Sequence, residues 1–321
     1  MRNLVLFDFT HSLMQEIIQV CESEISRLED GSIFEFEATN PDICIGLYAG
    51  ETIEVDDRHY MHRSLKAWNN LAELLGCRML MPVANTKHTI HIRYQKLKSS
   101  DSFHQDDIDD PRERYGTSSI FARINKLEEP TFIWAYTKAL KAVKIEKRKK
   151  ILDLGINNGD EFLAIMNNMS KEQFDDMQFT GIDYSASAIK SAKNTLTHPN
   201  IRLLCHDINE IGTLGLGKYD LIISIGTLQS PNVETKPLVM SLVQEYLQSN
   251  GAMILGFPNA RWSDGELIYG ARAPNYPYPE MSLVIKDIYW IKKYLQQHKF
   301  RVTITGKEYL FLTATKIGLK I

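Results

Sequence analysis

The sequence predicts an α/β protein with two parts, a small amino-terminal α+β unit and a larger domain built on a mostly parallel sheet. Strand candidates before residue 100 alternate apolar and polar residues, as half-buried strands do. From Ile151 onward, short and continuously apolar strands alternate with helical segments, which is typical of a parallel sheet covered on both faces. The last two strand candidates are separated only by a turn near Gly306. They must therefore pair as a hairpin, and one strand of the sheet is antiparallel.

The amino-terminal unit begins with an amphipathic helix, because apolar residues recur at helical spacing from residue 11 to Gly31. The segments "SIFEFEA" and "DICIGLYA" are predicted strands, and a second helix is predicted between Tyr60 and Gly76. Two further strands, "CRMLMPV" and "TIHIRYQKL", complete this unit. None of these patterns indicates a particular chemistry.

An acidic segment separates the two parts. Five aspartates lie between residues 101 and 110, and a proline follows at position 111, which is typical of a linker. The next residues, "RYGTSSIFAR", lie ahead of the larger domain, where they can close as a lid with Tyr115 over a bound molecule. We therefore divide the chain into residues 1–100, a linker and possible lid at 101–130, and a domain at 131–321.

The larger domain opens with a helix from about Thr131 to Ile145, and seven strand candidates follow. The basic run "KALKAVKIEKRKK" in this helix and its connection is predicted to be a solvated surface. The strands are, in order, "KILDLG", "QFTGIDY", "IRLLCHD", "YDLIISIG", "AMILGFP", "FRVTITG" and "YLFLTATKI".

The first of these strands runs into a glycine loop, "ILDLGINNGDEF". Asp153, Gly155 and Gly159 match the pattern D-x-G-x-G-x-G, with Asn157 in place of the middle glycine. A dinucleotide fingerprint is disfavoured, because Asn157 and Asp160 stand where it requires glycines. The motif alone is also compatible with a purely structural turn from strand to helix.

Polar residues at the ends of the next strands favour a nucleoside site. Asp183 is placed to bind the two hydroxyls of a ribose, and Tyr184 can cover one face of an adenine ring. Asp207 can accept a hydrogen bond from an adenine amino group, and Ile208 can supply an apolar contact. The small Ser224 leaves room beside a ligand. Each carboxylate alone is equally compatible with a helix cap, but three on successive strands favour a ligand.

With these residues, the segment from about 131 to 321 resembles the class I S-adenosylmethionine-dependent methyltransferases. The resemblance implies a Rossmann-like seven-stranded sheet and S-adenosylmethionine as cofactor. It implies that the loop from Gly155 through Asn157 to Gly159 packs against the methionine part of the cofactor, and that Asp153 is a further cofactor-binding residue. Asp183 would then hold the ribose, and Asp207 with Ile208 the adenine.

The acceptor of the methyl group is less defined by the sequence. Methylases of this family that act on amides and exocyclic amines carry an Asn- or Asp-Pro-Pro motif after the fourth strand, where this chain has "SIGTLQSP". A long segment after the fifth strand offers Arg261, Tyr276 and Tyr278, together with Tyr115 of the lid, to bind a substrate. His206 is a candidate general base. We expect a small organic acceptor with an anionic group.

Composition excludes several classes of partner. The net charge of −3 and pI near 6.3 disfavour a broad nucleic-acid surface, and no apolar run is long enough for a membrane helix. Four scattered cysteines predict a reducing, cytoplasmic location and no metal site. An RNA methyltransferase, with the strand "HIRYQKLK" contacting tRNA, and a non-catalytic cofactor-binding scaffold remain alternatives. The oligomeric state is not indicated.

Overall fold

The computed structural model describes residues 7–43, 48–98, 110–113, 115–119, 122, 124–259, 261–263, 266–268 and 282–318. The chain divides into two compact units. The first contains residues 1–102 and 262–268, and the second contains residues 103–261 and 269–321. The boundaries expected from the sequence, at residues 100 and 130, stay predictions.

The first unit is a four-stranded sheet with two helices. Its elements are β1 (Phe7–Asp8), α1 (Met14–Ser26), β2 (Ile33–Thr39), β3 (Thr52–Val55), β4 (Arg58–Met61), α2 (Leu65–Leu74), β5 (Cys77–Ala84) and β6 (Thr89–Lys96). The sheet has the order β1-β2-β6-β5. Alternate residues of β2 are buried with Trp68 of α2, whose indole lies 5.3 Å from the ring of Phe36. This burial explains the alternating pattern of the sequence.

One prediction in this unit is wrong, and another is tested only in part. Of the strand expected at "DICIGLYA", residues 42 and 43 lie in a short 3-10 turn, and residues 44–47 lie outside the described residues. A hairpin of β3 and β4 follows, turning at Asp56 and Asp57, both of which have positive φ. Such a pair of left-handed residues is characteristic of a type I′ turn. The second helix starts at Leu65 and not near Tyr60, because Tyr60 lies in β4 and Ser64 caps the helix by accepting the N–H of Ala67.

The second unit contains the larger sheet. Its elements are α3 (Pro130–Ala142), β7 (Lys150–Leu154), α4 (Asp160–Asn167), α5 (Lys171–Asp175), β8 (Gln178–Asp183), α6 (Ala186–Thr195), β9 (Ile201–Cys205), β10 (Tyr219–Ile225), α7 (Thr235–Ser241), β11 (Leu247–Pro258), α8 (Ser282–Gln297), β14 (Phe300–Gly306) and β15 (Tyr309–Lys316). Two short strands, β12 (Arg261–Ser263) and β13 (Glu266–Ile268), pair with each other, and residues 262–268 belong to the first unit.

The seven strands have the order β14-β15-β11-β10-β7-β8-β9, and β15 alone runs antiparallel to its neighbours. The predicted fold class is therefore confirmed. Each face of the sheet carries a buried apolar layer, one with side chains of α3, α4 and α6 and the other with side chains of α7 and α8. Covering on both faces is the physical reason for the continuously apolar strands.

The direction of chain progression reverses between β7 and β10. The chain moves outward from β7 to β8 and β9, and then crosses back to β10 on the other side of β7. In open α/β sheets, ligands bind outside the carboxyl ends of the strands at this kind of reversal. A ligand-binding site is therefore expected at the residues that follow β7 and β10.

The basic run before β7 is not entirely the solvated surface that the sequence predicts. Its lysines at 138, 141, 144, 147, 149 and 150 are exposed, but Arg148 is only 1% exposed. Its guanidinium donates to the carbonyl oxygens of Val143, Asp220 and Asn250. Arg148 is thus a buried structural residue, because its hydrogen bonds join backbone carbonyl groups of three different segments.

Among the described residues no helix is long and apolar enough to cross a membrane. Cys21 and Cys77 are buried free thiols, and Cys205 is an exposed one. No group of three or more histidine, cysteine or carboxylate side chains in the described part of the chain could hold a metal ion.

Candidate functional site

The glycine loop lies at the carboxyl end of β7, as the sequence predicts. Gly155, Asn157 and Gly159 all have positive φ, at 80°, 44° and 93°. The N–H groups of Gly155 and Ile156 both donate to the carbonyl oxygen of Ile182 in β8, at 2.8 and 3.1 Å. The loop is thereby fastened to the neighbouring strand, and Gly159 opens helix α4.

Space as well as backbone conformation requires glycine at two of these positions. A Cβ atom on Gly155 would overlap the side chain of Thr227, which follows β10. A Cβ atom on Gly159 would overlap a methyl group of Leu196. The close contact with Thr227 brings the loops after β7 and β10 together at the reversal point of the sheet.

Changing Gly155 to alanine should therefore weaken binding of the cofactor that the resemblance implies by about ten-fold, since the left-handed conformation and the displaced Thr227 side chain together cost roughly 1–2 kcal/mol. The measurement is calorimetric titration with S-adenosylhomocysteine. Gly217→Ala is the matched control, because Gly217 has a negative φ and open space around its Cβ position. Equal affinities of the two variants would contradict the prediction.

Asp183 connects this loop to the next one. Its Oδ2 accepts the N–H of Asn157 at 2.8 Å, and its Oδ1 accepts the N–H of Ser185 at 2.9 Å. Burial raises the pKa of this carboxyl above its usual value, although the two N–H groups and Lys126 act in the opposite direction. Each carboxylate oxygen keeps a second lone pair, so Asp183 can still accept hydrogen bonds from a ligand.

The segment ahead of α3 is attached to the same loops. Asn157 Nδ2 donates to the carbonyl oxygen of Tyr115 at 2.9 Å. The carboxylate of Glu113 accepts hydrogen bonds from the hydroxyls of Ser185 and Ser187 at the start of α6, and these bonds, led by that of Ser187, lower its pKa. The N–H of Thr117 donates to Ser187 Oγ at 3.0 Å. The side chain that replaces the middle glycine is therefore bound to the predicted lid.

The family follows from this loop, the strand order and a sequence comparison. Residues 145–300 match the family model described as a methyltransferase domain. This part of the chain is a class I methyltransferase domain. The family expected from the sequence, the S-adenosylmethionine-dependent methyltransferases, is thereby confirmed. No curated protein matches the chain.

Several solved structures resemble the methyltransferase domain at low identity. The plantazolicin methyltransferase BpumL, in complex with SAH, is 17% identical, with a TM-score of 0.45 over 65% of this chain and 91% of that chain. The methyltransferase domain of bacterial CtHen1 is 15% identical, with a TM-score of 0.42 over 58% and 98%. The precorrin-6y C5,15-methyltransferase of Geobacter metallireducens is 11% identical, with a TM-score of 0.40 over 57% and 88%. These likenesses are too distant to indicate a substrate.

Three of the other predicted residues follow β8 and β9 in the methyltransferase domain. Tyr184 is 39% exposed, Asp207 is half-buried, and Ile208 is buried. The carboxylate of Asp207 accepts the N–H of Asn209, as a helix cap does. Their contacts with an adenine ring stay predictions.

Ser224 and His206 have partners within the protein. Ser224 is fully buried in β10, and its hydroxyl donates to the carbonyl oxygen of Leu154 at 3.1 Å. This bond gives Ser224 a structural role between β10 and β7. His206 Nε2 lies 3.2 Å from the carbonyl oxygen of Glu210 and 3.0 Å from Thr213 Oγ1. Cofactor binding by Ser224 and general-base catalysis by His206 stay predictions.

The structure says little about the predicted acceptor residues of the long segment after β11. Tyr276 and Tyr278 lie outside the described residues, and Arg261 is described only as the first residue of β12. Their roles stay predictions, as does the contact of Tyr115 with a substrate.

The sequence analysis missed a buried ionic cluster next to the glycine loop. Lys126, Asp153 and Glu161 are 7%, 0% and 1% exposed, and Lys126 Nζ lies 3.5 Å from Glu161 Oε1. Asp153 was predicted only as a cofactor residue. Glu161 was visible as part of the acidic pair after Gly159, whereas nothing in the sequence around Lys126 distinguishes it from a surface lysine.

Proposed function

We propose that the protein transfers a methyl group from S-adenosylmethionine to a small organic acceptor that carries an anionic group. The observation that favours a small acceptor is that Glu113, Tyr115 and Thr117 are hydrogen-bonded to the loops after β7 and β8. A segment held over the carboxyl ends of the strands excludes water from a compact ligand, and it would obstruct a polymer. The net charge of −3 agrees with this choice.

The residues present fit S-adenosylmethionine. The Asp183 carboxylate has lone pairs for the ribose hydroxyls, and the side-chain oxygens of Asp153 are buried without a hydrogen-bond partner among the described residues. Asp207 and Ile208 would hold the adenine, Tyr184 would cover it, and the loop 155–159 would receive the methionine part. When bound, the cofactor supplies a methyl group on a sulfonium that is already activated for in-line displacement.

The protein's contribution is then mainly to position the acceptor. An acceptor atom held in line at roughly 3–3.5 Å reacts without strong further activation. Arg261, Tyr276 and Tyr278 are the proposed acceptor residues, and His206 is the proposed base where the acceptor carries a proton. Tyr115, on the attached segment, would complete the enclosure.

The runner-up, an RNA acceptor, requires free cations on β6. His91 Nδ1 instead lies 2.8 Å from a carboxylate oxygen of Glu35, and Arg93 lies 4.0 Å from the other oxygen of that side chain. Lys96 Nζ donates to the carbonyl oxygen of Leu28 at 2.7 Å. Cations occupied by these partners are poorly placed to neutralise phosphates, which supports the small acceptor.

The test is methyl transfer to separated cell fractions. The purified chain, with S-adenosylmethionine labelled in the methyl group, should label a component of the low-mass anionic fraction and release S-adenosylhomocysteine. Purified tRNA should remain unlabelled, and Asp183→Ala protein is the control for label that does not depend on the site. Labelling of RNA alone would move the acceptor to nucleic acid. Tight cofactor binding without turnover of any fraction would favour a scaffold.

A further inference from the structure

The cluster of Lys126, Asp153 and Glu161 contains more negative than positive charge. Glu161 Oε1 faces the lysine ammonium, whereas Glu161 Oε2 and both oxygens of Asp153 have no hydrogen-bond partner among the described residues. All three side chains are more than nine-tenths buried. Because one lysine balances only one carboxylate, the second carboxyl group is left with an uncompensated charge or with a proton.

Neighbouring groups do not supply the missing positive charge. Apart from the three members of the cluster, four titratable groups lie near it. They are Asp160, Asp183, Tyr136 and Tyr309. All of these are neutral or negative. Asp183 has its own donors in two backbone N–H groups, and the hydroxyl of Tyr136 donates to the carbonyl oxygen of Glu161, not to its carboxylate.

The titration of the cluster agrees with this count. Burial, followed by the charge of Glu161, raises the pKa of Asp153 well above its usual value, although Lys126 acts against this. Burial also raises the pKa of Glu161, again against Lys126. Burial disfavours the charged form of Lys126, but the surrounding carboxyl groups outweigh it and raise the pKa of the lysine. These directions favour a charged lysine and a proton held by the carboxyl pair.

We propose that this cluster senses the charge of the cofactor: in the ligand-free protein the Asp153–Glu161 pair holds one proton, and binding of the positively charged cofactor releases that proton to solvent. Lys126 acts as a positioning residue: its ammonium balances one carboxylate, so the cluster is neutral while the pair holds the proton and gains one excess negative charge when that proton leaves. After methyl transfer the sulfonium becomes an uncharged thioether, so the attraction weakens and the product is favoured to leave. This inference rests on the proposed function.

The position of the cluster makes the effect strong enough to measure. Asp153 is two residues before Gly155, and Glu161 is two residues after Gly159, so both carboxyl groups flank the loop that receives the cofactor's methionine part. In a buried environment, charges interact over several ångströms without direct contact. One excess charge beside this loop should change the relative affinity for a charged and an uncharged ligand by about ten-fold.

The experiment compares two ligands. Sinefungin carries a positive charge at the position of the cofactor's sulfonium, whereas S-adenosylhomocysteine has an uncharged sulfur there. Calorimetric titrations in two buffers of different ionisation enthalpy report the protons released on binding. Wild-type protein should release more protons with sinefungin than with S-adenosylhomocysteine, and its affinity for sinefungin should rise with pH. The preference for sinefungin should fall about ten-fold in Glu161→Gln, which leaves one lysine and one carboxylate in the cluster and removes the proton release.

A double variant separates charge from structure. Lys126→Met combined with Glu161→Gln leaves Asp153 as the only charge of the cluster, so proton release and the preference for sinefungin should return. Glu172→Gln, on an exposed residue of α5, is the control and should behave as wild type. Thermal unfolding of each variant confirms that it is folded.

The outcomes distinguish two failures. Equal proton release with both ligands in wild-type protein, or unchanged release in folded Glu161→Gln, would overturn the charge-sensing role while leaving cofactor binding intact. If wild-type protein binds neither ligand, the proposed function fails, and this inference fails with it.

Discussion

Replacement of Asp183 by alanine should weaken S-adenosylhomocysteine binding by on the order of 100-fold, because two charge-assisted hydrogen bonds are lost and each contributes roughly 1.5–3 kcal/mol. In the structure these bonds hold the N–H groups of Asn157 and Ser185 at 2.8 and 2.9 Å. The variant therefore loses the order of the glycine loop and of the α6 N-terminus. It also loses the proposed acceptor for the ribose hydroxyls.

Two variants serve as controls for this prediction. Asp183→Asn keeps the size of the side chain but presents N–H donors on one side, so its affinity should lie between those of wild type and Asp183→Ala. Asp176→Ala changes an exposed carboxylate just before β8 and should have no effect. The measurement is calorimetric titration of folded protein. An unchanged dissociation constant for Asp183→Ala would exclude Asp183 from the cofactor site.

The fold could be predicted from the sequence because its signals are local. In β7, Ile151, Leu152 and Leu154 are all fully buried, and a run of this kind indicates a strand covered on both faces before any contact is known. The turn at Gly306 has a φ of 105°, which only glycine adopts readily. The final hairpin could therefore also be predicted from the sequence. The antiparallel β15 follows from that turn alone.

Features that depend on distant residues could not be predicted. Lys126 and Glu161 are 35 positions apart, and their pairing is a consequence of how the segment before α3 returns to α4. The β3–β4 hairpin was missed because its turn, Asp56–Asp57, needs positive φ without a glycine to mark it. The roles of Asp207 and Ser224 were predicted from their positions at strand ends. At such a position, a polar side chain that bonds to the nearby backbone has the same sequence pattern as one that binds a ligand.

Arg148 illustrates the same limit, and its replacement gives the largest expected effect on stability. Its Nε donates to the carbonyl oxygen of Val143 at 2.9 Å, and its Nη1 donates to that of Asn250 at 2.9 Å and that of Asp220 at 3.3 Å. One side chain thus joins the end of α3 to the starts of β10 and β11. In the sequence it stands among six exposed lysines and cannot be distinguished from them.

Arg148→Met should lower the free energy of unfolding of the second unit by about 3 kcal/mol, because methionine fills similar space but removes the hydrogen bonds to three carbonyl groups, of which that of Val143 is buried. Unfolding in urea, followed by circular dichroism, gives the change in midpoint. Arg202→Met, at an exposed position of β9, is the matched control and should change stability by less than about 0.5 kcal/mol. Cofactor affinity should be unchanged in folded Arg148→Met protein, because Arg148 lies at the amino end of β7, opposite the glycine loop. A loss of affinity without a loss of stability would contradict the structural role, since it would connect Arg148 to the site at the other edge of the sheet.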